Sequence, residues 1–252
     1  MKRANLYLST IDANAHHLAK QYGLGLEIAE FCTAWNLDDQ FTQTDEIVRN
    51  KLTYSEHFVL HGPFNELFPC AIDQKVRAVA AQRYRQTLET AKRYSIQKLV
   101  LHGGYNPCLY FPCWYTEQSI LFWKEFISEI PDGMMICLEN VLEEEPAMLA
   151  DIIRAVDSPK LRMCFDVGHA HAYSKHTPME WLCDCTDILA HFHIHNNDGH
   201  QDSHSALTCG TIPMASLLDA INTLCPTASM TLELADSNSS LQWLSDQNIL
   251  QD

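Results

Sequence analysis

The sequence predicts a single (β/α)8 barrel, an α/β fold in which eight parallel strands close into a ring enclosed by helices. Short β-rich runs recur eight times, segments with helical spacing separate them, and a length of 252 residues is usual for this fold. We therefore expect one domain over residues 1–252. The alternative is an open doubly wound sheet, and its nucleotide-binding form is disfavoured because the chain has 9 glycines and no glycine-rich phosphate motif.

The runs that we assign to strands follow one another along most of the chain. In order, they are Asn5 to Thr10, Gly25 to Phe31, His57 to His61, Lys98 to His102, Met134 to Asn140, Arg162 to Asp166, Ile188 to Asn196 and Ser229 to Ala235. Strands that alternate with helices indicate a parallel sheet.

Helices are predicted between these runs. The clearest spans Asp73 to Tyr94, where apolar residues recur at three- and four-residue spacing. Proline at a first-turn position marks further helix starts at Pro146, Pro178 and Pro213. Thr177 and Glu180 fit a capping box, and 237–240 is a polar turn that leads into a last helix. After strand four, Trp114, Tyr115 and Trp123 favour helix packing over a wall for substrate.

Composition excludes several classes of protein. The formal net charge is −15 and no basic run interrupts it, which argues against a broad nucleic-acid-binding face. We expect no signal peptide, because the basic N-terminus is followed by only a few apolar residues before polar ones return. We expect no membrane span, because no run approaches the roughly 18 apolar residues that a bilayer requires. The 10 cysteines form no CxxC pair, and two of them, Cys137 and Cys164, lie in apolar runs. A chain of this length needs no disulfides, so we predict free thiols and a cytoplasmic location.

Residues able to bind a metal or move a proton stand where the predicted strands end. In such a barrel, reactive groups lie at the carboxyl ends of the strands. Five runs end on candidates of this kind, at His61, His102, Glu139, Asp166 with His169, and Glu233. Strand two offers Glu27, with Glu30 as an alternative. By contrast, His16, His17 and His176 stand in helix or loop context and are interpreted as ordinary polar residues.

Strand seven carries three histidines on one face. His191, His193 and His195 alternate with Phe192 and Ile194, so the imidazoles share a side of the strand. Facing the outer helices, they would need buried polar partners, whereas facing the barrel mouth they converge on the other candidates. The inward orientation is favoured. Imidazole and carboxylate ligands without thiolate suit zinc, manganese, cobalt or iron.

Taken together, residues 5–235 resemble the xylose isomerase-like barrels, which unite sugar and sugar phosphate isomerases and epimerases with endonuclease IV. The most specific motifs are the Leu-Glu-Asn at 138–140, the Asp-x-x-His of Asp166 and His169, and the strand-seven stretch. The family commonly shows His-x-His-Asp-Asn, then Asp-x-His, then Gly-x-Gly, which correspond here to 193–197, 202–204 and 208–210. Two departures are Asn196, in place of Asp, and Thr208, in place of the first Gly.

The resemblance implies a ligand set. In epimerase-like members one divalent metal is held by residues that correspond to Glu139, Asp166, His193 and Glu233. Endonuclease IV-like members bind a metal cluster and also recruit the positions of His61, His102, His169, Asp202 and His204. His195 is an alternative to His193 as the strand-seven ligand. Because this set exceeds what one ion needs, we predict two or more divalent ions per chain.

Two chemistries compete for this site, both on a small-molecule substrate. In the first, a sugar, sugar phosphate or related polyol is isomerised or epimerised through a metal-stabilised enediolate, Glu139 and Glu233 move the proton, and His169 orients a substrate oxygen. In the second, two metals hydrolyse a phosphoester or, less readily, an amide, and His61 and His102 help to hold the second ion. The extra histidines favour hydrolysis.

The acidic balance and the shortage of Arg and Lys near the strand ends argue against a DNA substrate, and the motif resemblance favours the isomerase. His61-Gly62-Pro63-Phe64, Glu139-Asn140-Val141 and 166–169 look most like members described as sugar phosphate isomerase/epimerase-like. We therefore prefer isomerisation. A barrel that binds metal without catalysis is the remaining alternative.

Overall fold

The computed structural model describes residues 2–250 and contains a closed barrel of parallel strands in chain order. The strands are β1 (Leu6–Ser9), β2 (Gly25–Ile28), β3 (Phe58–His61), β4 (Lys98–His102), β5 (Met135–Glu139), β6 (Leu161–Asp166), β7 (Leu189–Ile194) and β8 (Ser229–Leu232). Each predicted strand is present, and the ring closes through parallel pairing of β1 with β8. The predicted (β/α)8 fold class is confirmed.

Helices connect the strands around the outside of the ring. They are α1 (Ala15–Tyr22), α2 (Ala34–Leu37), α3 (Phe41–Lys51), α4 (Gln74–Arg93), α5 (Pro112–Phe126), α6 (Pro146–Val156), α7 (Val167–Tyr173), α8 (Pro178–Cys185), α9 (Met214–Leu224) and α10 (Asn238–Asp246), with short 3-10 helices at Arg3–Asn5, Leu52–Tyr54 and Ile127–Glu129. Within residues 2–250, no helix is both long and apolar enough to cross a bilayer.

Most of the predicted helix starts are confirmed. Helix α4 follows Asp73, whose side chain accepts a hydrogen bond from the Lys75 amide at 2.7 Å. Helices α6 and α8 begin with proline, and Thr177 and Glu180 form the predicted capping box. The prediction for Pro213 is wrong by one residue. Its ψ of 73° is not helical, so Pro213 precedes the helix that begins at Met214.

Two apolar layers fill the interior. Outside the ring, strand side chains pack against the helices; the Phe165 ring, for example, stacks on Trp181 and meets the edge of Phe192. Tyr115 and Trp123 of α5 are buried in this layer, which confirms the predicted helix packing. Inside the ring, a small cluster comprises Val59, Val100, Cys137 and Cys164. The cysteines are free thiols, as predicted.

The loops at the carboxyl ends of the strands lack basic residues. Residues 10–14, 29–33, 62–73, 103–111, 140–145, 195–213 and 233–237 connect strands to helices, and these described segments contain no Lys or Arg. They do carry carboxylates, which include Asp12, Glu30 and Asp202. Lys175, between α7 and α8, forms an ion pair with Glu144. The mouth of the barrel is therefore acidic.

Candidate metal centre

Three carboxylates converge on one nitrogen of His193 at the barrel mouth. His193 Nδ1 lies 3.1 Å from Glu139 Oε1 and 3.1 Å from Glu233 Oε2. Asp166 Oδ2 is 3.8 Å from the same nitrogen. Glu139 and Asp166 end β5 and β6, whereas Glu233 directly follows β8. The four residues that the family resemblance assigns to one metal thus lie together.

Charge in this group is balanced between carboxylates and histidines. Burial alone would raise the pKa of Glu139, but the positive charge of His193 and hydrogen bonds from His102 and His169 hold it well below its usual range. Conversely, burial would lower the pKa of His193, whereas the negative charges of Glu27, Glu139 and Glu233 raise it well above the ordinary value. A divalent cation can supply the same positive charge that these protons supply.

A second group forms on the other oxygen of Glu139. Glu139 Oε2 lies 3.3 Å from His61 Nε2 and 3.2 Å from His102 Nε2. The His61 Nδ1–H donates to the Gly62 carbonyl at 2.9 Å, so Nε2 is the nitrogen that faces the carboxylate. The ring of Phe64 stacks on His102 with 4.6 Å between ring centres.

A third group surrounds Asp202 in the loop after β7. Asp202 Oδ2 lies 3.2 Å from His169 Nε2 and 2.9 Å from His204 Nε2. The Nδ1–H groups of the two histidines donate to backbone carbonyls, at Asn140 for His169 and at Glu233 for His204, each at 2.9 Å. These hydrogen bonds on Nδ1 orient both imidazole rings so that Nε2 faces the Asp202 carboxylate.

These groups fit divalent metal ions. In His61, His169 and His204, one nitrogen donates to a backbone carbonyl and the other faces a carboxylate, which is how metal-binding histidines are oriented. A neutral imidazole has a lone pair on that second nitrogen, and a lone pair that faces a carboxylate needs a proton or a cation between them. In addition, the buried atoms Glu233 Oε2 and Asp202 Oδ1 accept no well-aligned hydrogen bond, although Glu233 Oε2 lies 3.1 Å from His193 Nδ1.

His195 lies beyond the end of β7, which stops at Ile194, two residues before the predicted end. Its Nε2 is 3.1 Å from each oxygen of Asp166, and its ring stacks on His204 with 4.0 Å between centres. It also packs against Gly168, where a Cβ would lie 1.9 Å from His195 Cε1. The geometry therefore makes His195 a partner of Asp166, whereas His193 Nδ1 faces Glu139 and Glu233.

The structure places two of the sequence candidates, Glu27 and His191, beneath the predicted ligands. Glu27 is fully buried and faces His193, whereas Glu30 pairs with Lys51. The inward orientation of the strand-seven histidines is confirmed, but His191 lies within the barrel, where burial lowers its pKa to about 4. Strand alternation predicted that His191 shares the face of His193, but it did not predict the contact of His191 with Glu27.

Asn196, one of the two departures from the family pattern, holds the loop that follows β7. Its Oδ1 accepts hydrogen bonds from the amides of Asn197 and Ile212, and its Nδ2 donates to the carbonyls of Leu207 and Ile212. An aspartate could not donate those two bonds. Gly210 approaches Asn196 so closely that a Cβ would lie 2.2 Å from Oδ1. Thr208, the other departure, is exposed and leaves this contact intact.

Two curated relatives, both from Methanocaldococcus jannaschii, share part of this sequence. The uncharacterized protein MJ1311 is 30% identical over 184 residues, which cover 67% of this chain and 61% of the relative. The uncharacterized protein MJ1614 is 25% identical over 165 residues, which cover 64% of each. The match thus spans less than two thirds of the length of either relative.

Solved structures share the fold over nearly the whole chain. A D-tagatose 3-epimerase-like protein superposes with a TM-score of 0.78 at 20% identity and covers 97% of this chain and 96% of its own. An IolI protein with a binding zinc atom gives 0.76 at 15% identity, with coverage of 97% and 96%. The TTHB071 protein from Thermus thermophilus, soaked with ZnCl2, gives 0.73 at 22% identity, with coverage of 96% and 97%.

The family is shown by a sequence profile that spans most of the chain. The profile, described as Xylose isomerase-like TIM barrel, matches residues 17–251. This range contains strands β2 to β8 and every ligand candidate named above. The chain therefore belongs to the xylose isomerase-like TIM barrel family.

Proposed function

We propose that this chain is a divalent-metal-dependent isomerase or epimerase of a sugar or related polyol. The observation that carries the proposal is the position of Glu139 and Glu233, whose carboxylates reach the same nitrogen of His193 from β5 and from the end of β8. Two carboxylates on different sides of one site can remove a proton and return it elsewhere. The D-tagatose 3-epimerase-like structure supports this choice of chemistry.

Glu139, Asp166, His193 and Glu233 would hold the catalytic ion. When bound, a divalent metal supplies Lewis-acid polarisation of a substrate carbonyl and neutralises negative charge that develops beside it. The proton transfer belongs to the protein. Because the pKa of both glutamates is lowered despite burial, chiefly by His193, each is ionised and able to act as a base. Return of the proton to a neighbouring carbon gives an isomer, and return to the opposite face of the same carbon gives an epimer.

The mouth favours a substrate without a phosphate group. The segments that follow the strands contain no Lys or Arg within the described residues. Lys51 and Lys175 reach these segments from neighbouring elements, but there they pair with Glu30 and Glu144, so neither offers an unpaired charge to a phosphate remote from the metal. Instead, exposed aromatic side chains, namely Trp35, Phe64 and Phe111, stand on or beside the loops after β2, β3 and β4. Such rings suit the apolar faces of a neutral sugar.

Phosphoester hydrolysis is the second candidate, and the further metal-binding groups favour it. His61 and His102 meet Glu139 in one group, and His169 and His204 meet Asp202 in another. In each group the potential ligand atoms lie within 4.8 Å of one another. Two-metal hydrolases use neighbouring ions of this kind to activate water and to stabilise the leaving oxygen.

Solvent deuterium separates the two functions. Metal-loaded protein in deuterated water is given unphosphorylated ketoses and aldoses, their phosphates, and a panel of phosphomonoesters and phosphodiesters. We expect deuterium at carbon in an unphosphorylated sugar, loss of this signal with chelator, and its return with zinc, manganese or cobalt. Phosphoester turnover without deuterium at carbon would instead support the hydrolase. Metal binding without either reaction would support a non-catalytic barrel.

A further inference from the structure

A continuous chain of polar side chains runs through the barrel beneath the metal centre. Lys98 Nζ donates to Ser229 Oγ at 2.7 Å, and Ser229 Oγ lies 2.6 Å from His191 Nδ1. Glu27 then joins the two histidines, with Oε2 3.0 Å from His191 Nε2 and Oε1 2.9 Å from His193 Nε2. All members except Lys98 are buried.

The hydrogen-bond donors in this series of side chains can be assigned from Lys98 to Glu27. An ammonium only donates, so Lys98 leaves the hydroxyl hydrogen of Ser229 free to donate to His191 Nδ1. Neutral His191 then carries its proton on Nε2 and donates it to Glu27.

Thr231 helps to determine which oxygen of Glu27 is left to accept a hydrogen bond from His193. Its hydroxyl donates to Glu27 Oε2, the oxygen that also accepts from His191. The second oxygen of Glu27 accepts the proton on His193 Nε2. Consequently, the unprotonated nitrogen of neutral His193 is Nδ1, which faces Glu139 and Glu233.

We propose that Glu27 is a positioning residue that fixes His193 as the tautomer with Nδ1 free to bind metal. This inference rests on the metal centre of the proposed function. A carboxylate behind a ligating histidine holds the ring, selects its tautomer and makes it a stronger ligand. Glu27 satisfies this description because it is fully buried, accepts from three donors and contacts His193 on the side away from the other carboxylates.

Zinc affinity tests the proposal without a substrate. Glu27→Gln preserves shape but removes the charge, and Glu30→Gln is the matched control because Glu30 follows the same strand and pairs with Lys51. With zinc and a competing chelator, we expect Glu27→Gln to bind about 10- to 100-fold more weakly, as for other lost partners of ligating histidines. Glu30→Gln should equal the wild type. Equal affinity of the two variants would overturn the proposal.

Nitrogen NMR tests the tautomer directly. In the zinc-loaded chain, labelled with 15N-histidine, we expect His193 to carry its proton on Nε2 and zinc on Nδ1, the signals being assigned by their loss in His193→Gln. Zinc on Nε2 would overturn the inference. If Glu27→Gln does not fold, Thr231→Val removes one donor to Glu27 and should weaken zinc binding by a smaller factor. Unchanged affinity in Thr231→Val would then count against the proposal.

Failure of the proposed function can be recognised separately. In that case the wild type binds zinc and loses affinity on Glu27→Gln, yet no sugar acquires deuterium. A wild type that binds no zinc would overturn both proposals.

Discussion

Gly168 is the position where one added methyl group should disturb the metal centre most directly. It lies in α7 with helical backbone, so alanine introduces no backbone strain there. However, its Cβ would stand 1.9 Å from His195 Cε1, whereas ordinary contact begins at 3.4 Å. The ring would have to move by about 1.5 Å, although it stacks on His204 and its Nε2 lies 3.1 Å from the Asp166 oxygens.

The effect of Gly168→Ala on the free energy of unfolding depends on whether the His195 imidazole is present. Overpacking of this kind destabilises a folded protein by about 1 to 3 kcal/mol. Where His195 is itself replaced by alanine, the clash disappears, and alanine is then favoured over glycine in the helix by up to about 1 kcal/mol. We therefore expect Gly168→Ala to be destabilising in the wild type and neutral or stabilising in His195→Ala.

Urea unfolding of the four proteins measures this coupling. The proteins are the wild type, the two single variants and the double variant, all with excess chelator so that bound metal does not contribute to the free energy of unfolding. If Gly168→Ala has the same effect in both backgrounds, His195 does not occupy the space beside Gly168, and the role assigned to it at Asp166 is wrong.

Four further predictions address the metals, the chemistry and acid stability. Protein purified without chelator should carry more than one divalent ion per chain, because the candidate ligands exceed the needs of one ion; elemental analysis that finds one ion or fewer after metal loading would remove the cluster. Glu233→Gln should stay folded by circular dichroism but incorporate deuterium into sugar about 10²-fold more slowly or worse, as expected for a lost acid–base group; a near-wild-type rate would place the site elsewhere. The double variant His61→Ala with His102→Ala should lose about one ion by elemental analysis yet keep measurable isomerase activity, since neither residue is among the four that would hold the catalytic ion; a folded, inactive double variant that retains the other ion would support hydrolysis. Hydrogen bonds to the Asp45 carboxylate, of which the one from Arg49 contributes most, lower the pKa of Asp45 to about 2. Its ionised form therefore stabilises the fold above the unfolded pKa near 4, and this contribution is lost as the pH falls toward 2. In urea titrations, Asp45→Asn should accordingly unfold more easily at neutral pH and lose less stability between pH 4 and 2; parallel pH profiles would contradict this.

Local patterns were sufficient to predict the fold and the strand ends. Eight β-rich runs separated by helical segments correspond to the eight strands of the ring. Glu139 and Asp166 could be placed at the mouth because a ligand-type residue that ends an apolar run of a barrel strand lies there. The two-residue alternation of β7 likewise predicted that His191 and His193 share the inner face.

The roles of individual residues depended on contacts that no local pattern contains. Glu27 and His191 meet across the barrel although 164 residues separate them in sequence. The choice between Glu27 and Glu30 depended on which of them turns inward and which pairs with Lys51. Similarly, the position of His195 depends on the close approach of Gly168, which only the packing of α7 against the end of β7 determines.

The loops without basic residues also affect how ions reach the centre. With a net charge of −15 and carboxylates concentrated at the mouth, the electric potential draws dissolved cations toward the ligands and repels anions before contact. Metal uptake should consequently be fast in dilute buffer and slower as added salt shortens the range of this attraction, from roughly 30 Å at 0.01 M to 10 Å at 0.1 M. The negative charge that disfavours a phosphate-bearing substrate at the mouth would thus also speed the uptake of metal by the apoprotein.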